Sequence, residues 1–187
     1  ENVGQTGSND YLQIYYSIDG GFNWIAYGFF ENPTYNLREP SIAIGEGAQN
    51  LLLIAYIVDD GVVPFPEVAT TPLYPIGFSW TVHSVPYWNW WQGYREPNIW
   101  TDSYDYSTWY AYLTCEGIYS AATNNYNVCF WRTVDYSTTW STGQVIMGDA
   151  DSEAWRDPDG TYGTTANKLF VACFNQTDNT LYTRMSN

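Results

Sequence analysis

A short motif recurs three times along this chain at nearly constant spacing. Leu37-Arg38-Glu39-Pro40, Tyr94-Arg95-Glu96-Pro97 and Trp155-Arg156-Asp157-Pro158 each join an apolar or aromatic residue to an arginine, an acid and a proline. The three arginines lie 57 and 61 residues apart. Such a period is typical of proteins built from several copies of one supersecondary unit. The motif therefore predicts a repeat architecture.

Each motif is followed, after a polar loop, by an apolar segment with strand character. These segments are residues 51–56, 108–112 and 169–173. Within them an alanine stands 17, 16 and 16 residues after its arginine, at Ala55, Ala111 and Ala172. A small residue at one point of every unit predicts close approach of a neighbouring sheet, because protein interiors are close-packed.

The residue types between the motifs favour strands. Tyr, Trp, Thr, Val and Ile dominate the patterned segments, and these types are enriched in β-sheets. No stretch of ten residues carries the i, i+3, i+4, i+7 apolar pattern of a surface helix. Aromatic residues make up 19% of the chain, which excludes a disordered protein. The longest apolar run, residues 51–58, is far shorter than the roughly 20 residues of a membrane-spanning helix. The sequence predicts an all-β fold.

A second motif recurs in phase with the first. Ser17-Ile18-Asp19-Gly20-Gly21-Phe22-Asn23-Trp24 and Thr133-Val134-Asp135-Tyr136-Ser137-Thr138-Thr139-Trp140 each end an apolar segment. A Ser or Thr and an Asp two residues apart can accept hydrogen bonds from the backbone of a tight turn. Glycine supplies the positive φ that such a turn requires. Residues 81–88 form a degenerate copy, with His83 in place of the Asp.

This second motif resembles the Asp-box (bacterial neuraminidase) repeat, Ser/Thr-x-Asp-x-Gly-x-Thr-Trp. Its structural positions here are Ser17, Asp19, Gly21, Trp24, Thr133, Asp135 and Trp140. The resemblance implies a β-propeller of four-stranded antiparallel blades, with the box between the third and fourth strands of a blade.

In that architecture the chain divides into blades at the repeats. Residues 1–35 would supply half a blade, residues 36–93 and 94–152 a blade each, and residues 153–187 a partial blade. About three blades are too few to close a ring, since propellers have at least four. We expect further blades from the same, longer polypeptide or, as the alternative, from a homo-oligomer.

The resemblance also raises an enzymatic hypothesis. Propellers with Asp-box repeats include sialidases, in which three arginines hold the sugar carboxylate. Arg38, Arg95 and Arg156 are the candidate catalytic residues if this chain is similar. An acid follows each arginine, however, and arginine pairs readily with carboxylates. A repeated structural ion pair is therefore the alternative interpretation.

Aromatic residues offer a different function, the binding of a glycan or a protein. Trp88, Trp90 and Trp91 stand together, and Tyr104 and Tyr106 follow in the next loop. Exposed Trp and Tyr rings stack on sugars and anchor protein interfaces. Packing between blades is the alternative use of these rings.

Metal ligands and thiols are sparse. Asp149 and Asp151 are weak candidates for a Ca²⁺ site, because carboxylates are the ligands that Ca²⁺ prefers. We expect no other cofactor. Cys115 and Cys129 fall on adjacent predicted strands, where either a disulfide or two buried thiols fit, and Cys173 is left over.

The net charge of the chain limits the kinds of binding partner that it can have. Twenty acidic and six basic side chains give a formal net charge of -14. An acidic surface repels phosphate backbones, which excludes general nucleic-acid binding. Scarcity of lysine and abundance of Thr, Asn and Tyr favour an extracellular or cell-surface protein without membrane insertion. Our leading prediction is a non-catalytic propeller module that binds a glycan or protein ligand or takes part in assembly. The alternative is a sialidase-like glycoside hydrolase or a piece of one.

Overall fold

The computed structural model describes residues 11–45, 50–73, 79–88, 91–102, 109–120, 125–135, 139–148, 154–163 and 168–186. These residues form strands and connections, and these ranges contain no helix that could cross a bilayer. The strands are β1 (Tyr11–Tyr16), β2 (Ile25–Glu31), β3 (Asn36–Gly45), β4 (Leu51–Asp59), β5 (Phe65–Pro72), β6 (Thr81–Ser84), β7 (Gly93–Thr101), β8 (Ala111–Ser120), β9 (Asn125–Asp135), β10 (Thr139–Trp140), β11 (Gln144–Met147), β12 (Trp155–Gly163), β13 (Lys168–Asn175) and β14 (Thr180–Met185). The predicted all-β class is confirmed.

Four antiparallel sheets follow one another along the chain. Their strand orders are β1-β2, then β3-β4-β5-β6, then β7-β8-β9-β10 with β11 also paired to β9, and finally β12-β13-β14. Strands that are neighbours in sequence are neighbours in the sheet, which is the up-and-down order of propeller blades. Each sheet packs its face against the next sheet.

The first strands of successive sheets lie side by side. The backbone N–H of Ile99 on β7 donates to Ser41 Oγ on β3 at 3.1 Å. Thr101 Oγ1, also on β7, donates to the carbonyl oxygen of Ile44 at 2.7 Å. β12 lies against β7 on the other side. The strands β3, β7 and β12 therefore form the inner row of the structure.

The arginine–acid–proline motif forms a β-bulge at the start of each inner strand. The acids Glu39, Glu96 and Asp157 have φ values of 54°, 49° and 50°, in the left-handed region. The pairing register shifts between the arginine and the residue three positions later in all three strands. Proline after the acid cannot donate to the ladder, and this favours a bulge over a regular strand. The repeat seen in the sequence is thus a repeated bulge.

The predicted alanine repeat is wrong at one of its three positions. Ala55 pairs with Ser41 and Ala172 with Asp159, in each case the first residue after the bulge. The corresponding residue of the middle sheet is Thr114, which pairs with Asn98. Ala111 precedes Thr114 on β8, because the connection between β7 and β8 is longer than that between β3 and β4. Counting from the arginine cannot detect a difference in loop length.

The first predicted box forms the hydrogen-bonded turn between β1 and β2. Ser17 Oγ accepts the N–H of Gly21 at 2.8 Å, and Asp19 Oδ1 accepts the N–H of Asn23 at 2.9 Å. Gly20 and Gly21 have φ of 74° and 94°, which only glycine adopts without strain. Trp24 is 64% exposed, so its ring is not part of the core.

The other two copies of the box differ from the first. In the third, Thr133 and Trp140 are buried, and Thr133 Oγ1 accepts the N–H of Ala111 at 2.9 Å. Asp135 ends β9, and its side chain lies outside the described residues. The degenerate copy is a wrong prediction, because residues 81–84 form β6 instead of a turn. His83 pairs with Val68 of β5 there. The third strand of that sheet is β5, earlier than the sequence pattern indicated.

Tryptophan and glycine pack against each other between the strands. The Trp109 ring lies over Gly45, where an added Cβ would come within 2.5 Å of a ring atom. The Trp91 ring covers Gly117 in the same way. These rings belong to one apolar cluster shared by the second and third sheets. These two tryptophans are therefore part of the core.

Candidate functional site

Three carboxylates lie at the same end of the inner row of strands. Glu39, Glu96 and Asp157 occupy equivalent positions of β3, β7 and β12, and all three side chains are exposed. A left-handed conformation costs a non-glycine residue roughly 1–3 kcal/mol, and such strain concentrates at functional sites. The same strained acid in three neighbouring sheets marks this end of the structure as the candidate site.

Each of the second and third bulges is held by a carboxylate of the sheet before it. The backbone N–H of Glu96 donates to Glu39 Oε2 at 2.7 Å. The backbone N–H of Asp157 donates to Glu116 Oε1, also at 2.7 Å. These bonds satisfy the N–H groups that the bulges remove from the ladders.

Beneath the acids lies a buried ionic network centred on Glu116. Its side chain is 1% exposed, and Oε2 accepts from Arg95 Nε at 2.5 Å and from Arg156 Nη1 at 3.3 Å. The ring of Tyr126 lies under both guanidinium groups, 3.5 Å from Arg156 Cζ and 4.6 Å from Arg95 Cζ. A buried charge requires such partners.

Two of these carboxyl groups have raised pKa values. Partial burial raises the pKa of Glu96, and the negative charges of Glu39 and Asp157 raise it further, against the opposing effect of Arg95. Burial also raises the pKa of Glu116, although the Asp157 N–H and Arg95 act in the other direction. Glu96 is the exposed one of the two, so its carboxyl group is accessible to a bound molecule.

The three candidate arginines are engaged in ion pairs. Arg38 Nη2 lies 2.6 Å from Asp59 Oδ2, within its own sheet. Arg95 pairs with Glu116 in its own sheet, and Arg156 pairs with the same Glu116 in the preceding sheet. The guanidinium groups therefore do not converge on an open pocket. The arginines thus form structural ion pairs, the alternative that the sequence offered to a sugar-holding triad, but their partners are Asp59 and Glu116 and not the acids that follow them in the motif.

The predicted aromatic patch is buried where the structure describes it. Trp91 is 3% exposed and stacks between Trp88 at 5.1 Å and Tyr94 at 5.7 Å between ring centroids. Trp88 is partly buried and packs against the same cluster. These two rings serve the packing between sheets. The other predicted ligand-binding residues, Trp90, Tyr104 and Tyr106, lie outside the described residues.

The described residues bear on the predicted metal site and on the predicted cysteine pair. Asp149 and Asp151 lie outside the described residues, and the described ranges hold no cluster of three or more His, Cys, Asp or Glu side chains suited to a metal. Cys115 and Cys129 face each other across β8 and β9, as free, buried thiols. Of the two possibilities left by the sequence, the structure has the buried thiols.

Two members of the site were missed by sequence reasoning, Glu116 and Tyr126. A signal for Glu116 was present, because it stands opposite Arg95 in the register, where the other two sheets carry Ile57 and Phe174. A single acid at an apolar position of a repeat marks a buried partner. Tyr126 had no such signal, since it is one of eighteen tyrosines.

No protein-family model matches this chain, and no curated protein matches its sequence. Solved structures share its fold. An exo-1,5-α-L-arabinanase from a bovine ruminal metagenomic library is 12% identical with a TM-score of 0.53, covering 98% of this chain and 67% of that one. The Cellvibrio cellulosa α-L-arabinanase complexed with arabinohexaose is 11% identical with a TM-score of 0.51, covering 98% and 67%. A mutant of that enzyme has a TM-score of 0.53 at 11% identity, covering 100% and 67%. The β-propeller fold is thereby confirmed.

Proposed function

We propose that this propeller carries the acid–base site of a glycoside hydrolase acting on a neutral polysaccharide. One observation carries the proposal: Glu39, Glu96 and Asp157 project from equivalent strained bulges at one end of the inner strands, and Glu96 has a raised pKa. Glycoside hydrolysis requires two carboxyl groups, one protonated and one ionised, on either side of the scissile bond. Unequal environments for neighbouring carboxyl groups are how proteins provide such a pair.

In this proposal Glu96 is the general acid. It transfers its proton to the leaving-group oxygen as the bond from that oxygen to the anomeric carbon breaks. A neighbouring carboxylate, Asp157 or Glu39, either removes a proton from the attacking water or attacks the anomeric carbon itself. Glu116 is buried and holds the bulge of Asp157 in place, and Arg95 and Arg156 are its ion-pair partners.

Charge supports a neutral substrate over a sialoside. The chain has a formal net charge of -14, and the site presents three exposed acids. All three candidate arginines are paired with Asp59 or Glu116, so a sugar carboxylate would meet repulsion there. Arabinohexaose, bound by one structure of the same fold, is a neutral oligosaccharide. We propose that this chain acts outside the cell or at the cell surface, as the composition predicts.

Reducing-sugar release from linear α-1,5-arabinan and other neutral polysaccharides tests the proposal, with a fluorogenic sialoside in parallel. We expect hydrolysis of a neutral glycan and none of the sialoside. Glu96→Gln should reduce kcat by about 10²–10⁴-fold, the usual range for loss of a general acid. Glu31→Gln on β2 is the matched control, because this exposed acid lies on another sheet.

The outcomes separate the candidate functions. Saturable glycan binding without turnover in both the wild-type chain and Glu96→Gln supports the non-catalytic module instead. Turnover of the sialoside that is lost in Arg95→Ala supports the sialidase-like alternative. Hydrolysis that survives Glu96→Gln unchanged contradicts the assignment of the acid.

A further inference from the structure

An apolar cleft of about 560 Å³ lies along the outer flank of β3, beside β1 and β2. Its walls include Ile14 and Tyr15 of β1 and Ile42 and Ile44 of β3. Both isoleucines are largely exposed. Inner-strand side chains are expected to be covered by a neighbouring sheet, so the cleft requires an explanation.

The equivalent residue of the next inner strand explains why the cleft is open. Ile42 and Ile99 each lie four positions after the arginine of their motif. Ile99 is 4% exposed, because it packs in one cluster with Leu53 and Ala55 of β4, and its N–H bonds to Ser41 of β3. Ile42 is 55% exposed. Ile99 is covered by side chains from the first two strands of the sheet that precedes it. In the part of the chain that the structure describes, only β1 and β2 precede β3, so Ile42 has no equivalent pair of strands to cover it.

β1 and β2 correspond to the last two strands of a blade. The box turn from Ser17 to Trp24 joins them, and the box lies between the third and fourth strands of a blade in the predicted architecture. They pack on β3 and β4 through Leu12 and Ile14. The cleft therefore lies where the first and second strands of the same sheet would stand.

Two possible occupants can be set aside. Residues 1–10 contain a single aliphatic side chain, Val3, whereas the β3–β4 hairpin uses strands of 10 and 9 residues with apolar faces. A second copy of the chain is too large. This chain covers 67% of each matched propeller, so about one third of each propeller has no counterpart here. That remaining third is roughly half the length of this chain.

We propose that the cleft is the docking surface of an apolar β-hairpin, contributed in cis ahead of β1, that supplies the first and second strands of the β1–β2 sheet. Its second strand pairs with the edge of β1 opposite β2, where none of the described strands is paired. Alternate aliphatic side chains of the hairpin cover Ile42 and Ile44, as β3 and β4 cover Ile99. The contact continues the interface already formed between the second and third sheets.

A grafted hairpin tests this proposal. In the extended variant, a copy of residues 36–64 replaces residues 1–10 and joins directly to Tyr11, because β3 and β4 make the equivalent contact with β7. We expect a monomer with a melting temperature higher by about 5 °C or more, from burial of aliphatic side chains. Ile42→Asp should lower the melting temperature of the extended variant by a similar amount.

The same substitution in the unextended chain separates the explanations. There Ile42→Asp should change the melting temperature by less than about 2 °C, since the side chain is already exposed. Ile99→Asp, the matched control, should destabilise both forms. An extended variant without any gain, or an equal effect of Ile42→Asp in both forms, overturns the proposal. Sedimentation of the unextended chain as a dimer that Ile42→Asp dissociates would show that a second copy fills the cleft.

Discussion

Replacement of Glu116 by alanine should destabilise this protein more than any substitution of the exposed site acids. Glu116 is 1% exposed and is bonded to Arg95, to Arg156 and to the N–H of Asp157. Removing one partner of a buried ion pair costs about 3–5 kcal/mol, because the remaining charge stays desolvated. For a chain of this size that corresponds to a fall in melting temperature of about 6–20 °C.

The measurement is equilibrium urea unfolding followed by tryptophan fluorescence, with linear extrapolation to water. Arg38→Ala provides the matched control, because it breaks the equivalent arginine–carboxylate pair at an exposed position. Exposed pairs contribute about 0–1 kcal/mol. If Glu116→Ala loses less than about 1 kcal/mol, or no more than Arg38→Ala, then the network does not stabilise the contact between the third and fourth sheets.

The pH dependence of Glu116→Gln tests the same network. Burial raises the pKa of Glu116 above its ordinary value of 4.5, so the folded protein binds this proton more tightly than the unfolded chain does. Between pH 4.5 and the raised pKa, the contribution of Glu116 to stability therefore falls as pH rises. Glu116→Gln should flatten this part of the stability profile. An unchanged slope would assign the pH dependence to other groups.

Three further predictions concern the turn, the thiols and the core. Hydrogen bonds from Asn23 and Ser17 lower the pKa of Asp19 to about 2. The stabilising effect of Asp19 on the β1–β2 turn should therefore be lost as pH falls from 3.8 towards 2. NMR titration measures this pKa, and an unshifted value would show that the turn is absent. Cys115 and Cys129, whose burial raises their thiol pKa values, should react with Ellman's reagent only after unfolding, and fast reaction of the native protein would contradict their placement. Gly117→Ala should cost at least about 1–3 kcal/mol in urea unfolding, because the new methyl group collides with a buried ring, and a neutral effect would refute that packing.

The sequence by itself determined the local and periodic features of this protein. The spacing of Arg38, Arg95 and Arg156 predicted a repeat architecture, and strand-forming residues between the motifs predicted the all-β class. Ser17 and Asp19 identified a turn whose hydrogen bonds span only four residues. Such features are readable because they depend on neighbours along the chain.

Only the tertiary structure decided which residues meet at the candidate site. Glu116 joins Arg95, 21 residues before it, to Arg156, 40 residues after it, and it does so through the register of β8 and the packing of two sheets. Whether Trp91 lies on the surface or in the core was equally open in the sequence, since its ring is covered by residues of other strands. Contacts between sheets depend on loop lengths and strand register, which a repeat pattern does not record. For that reason the arginines were found in the sequence, and their partners only in the fold.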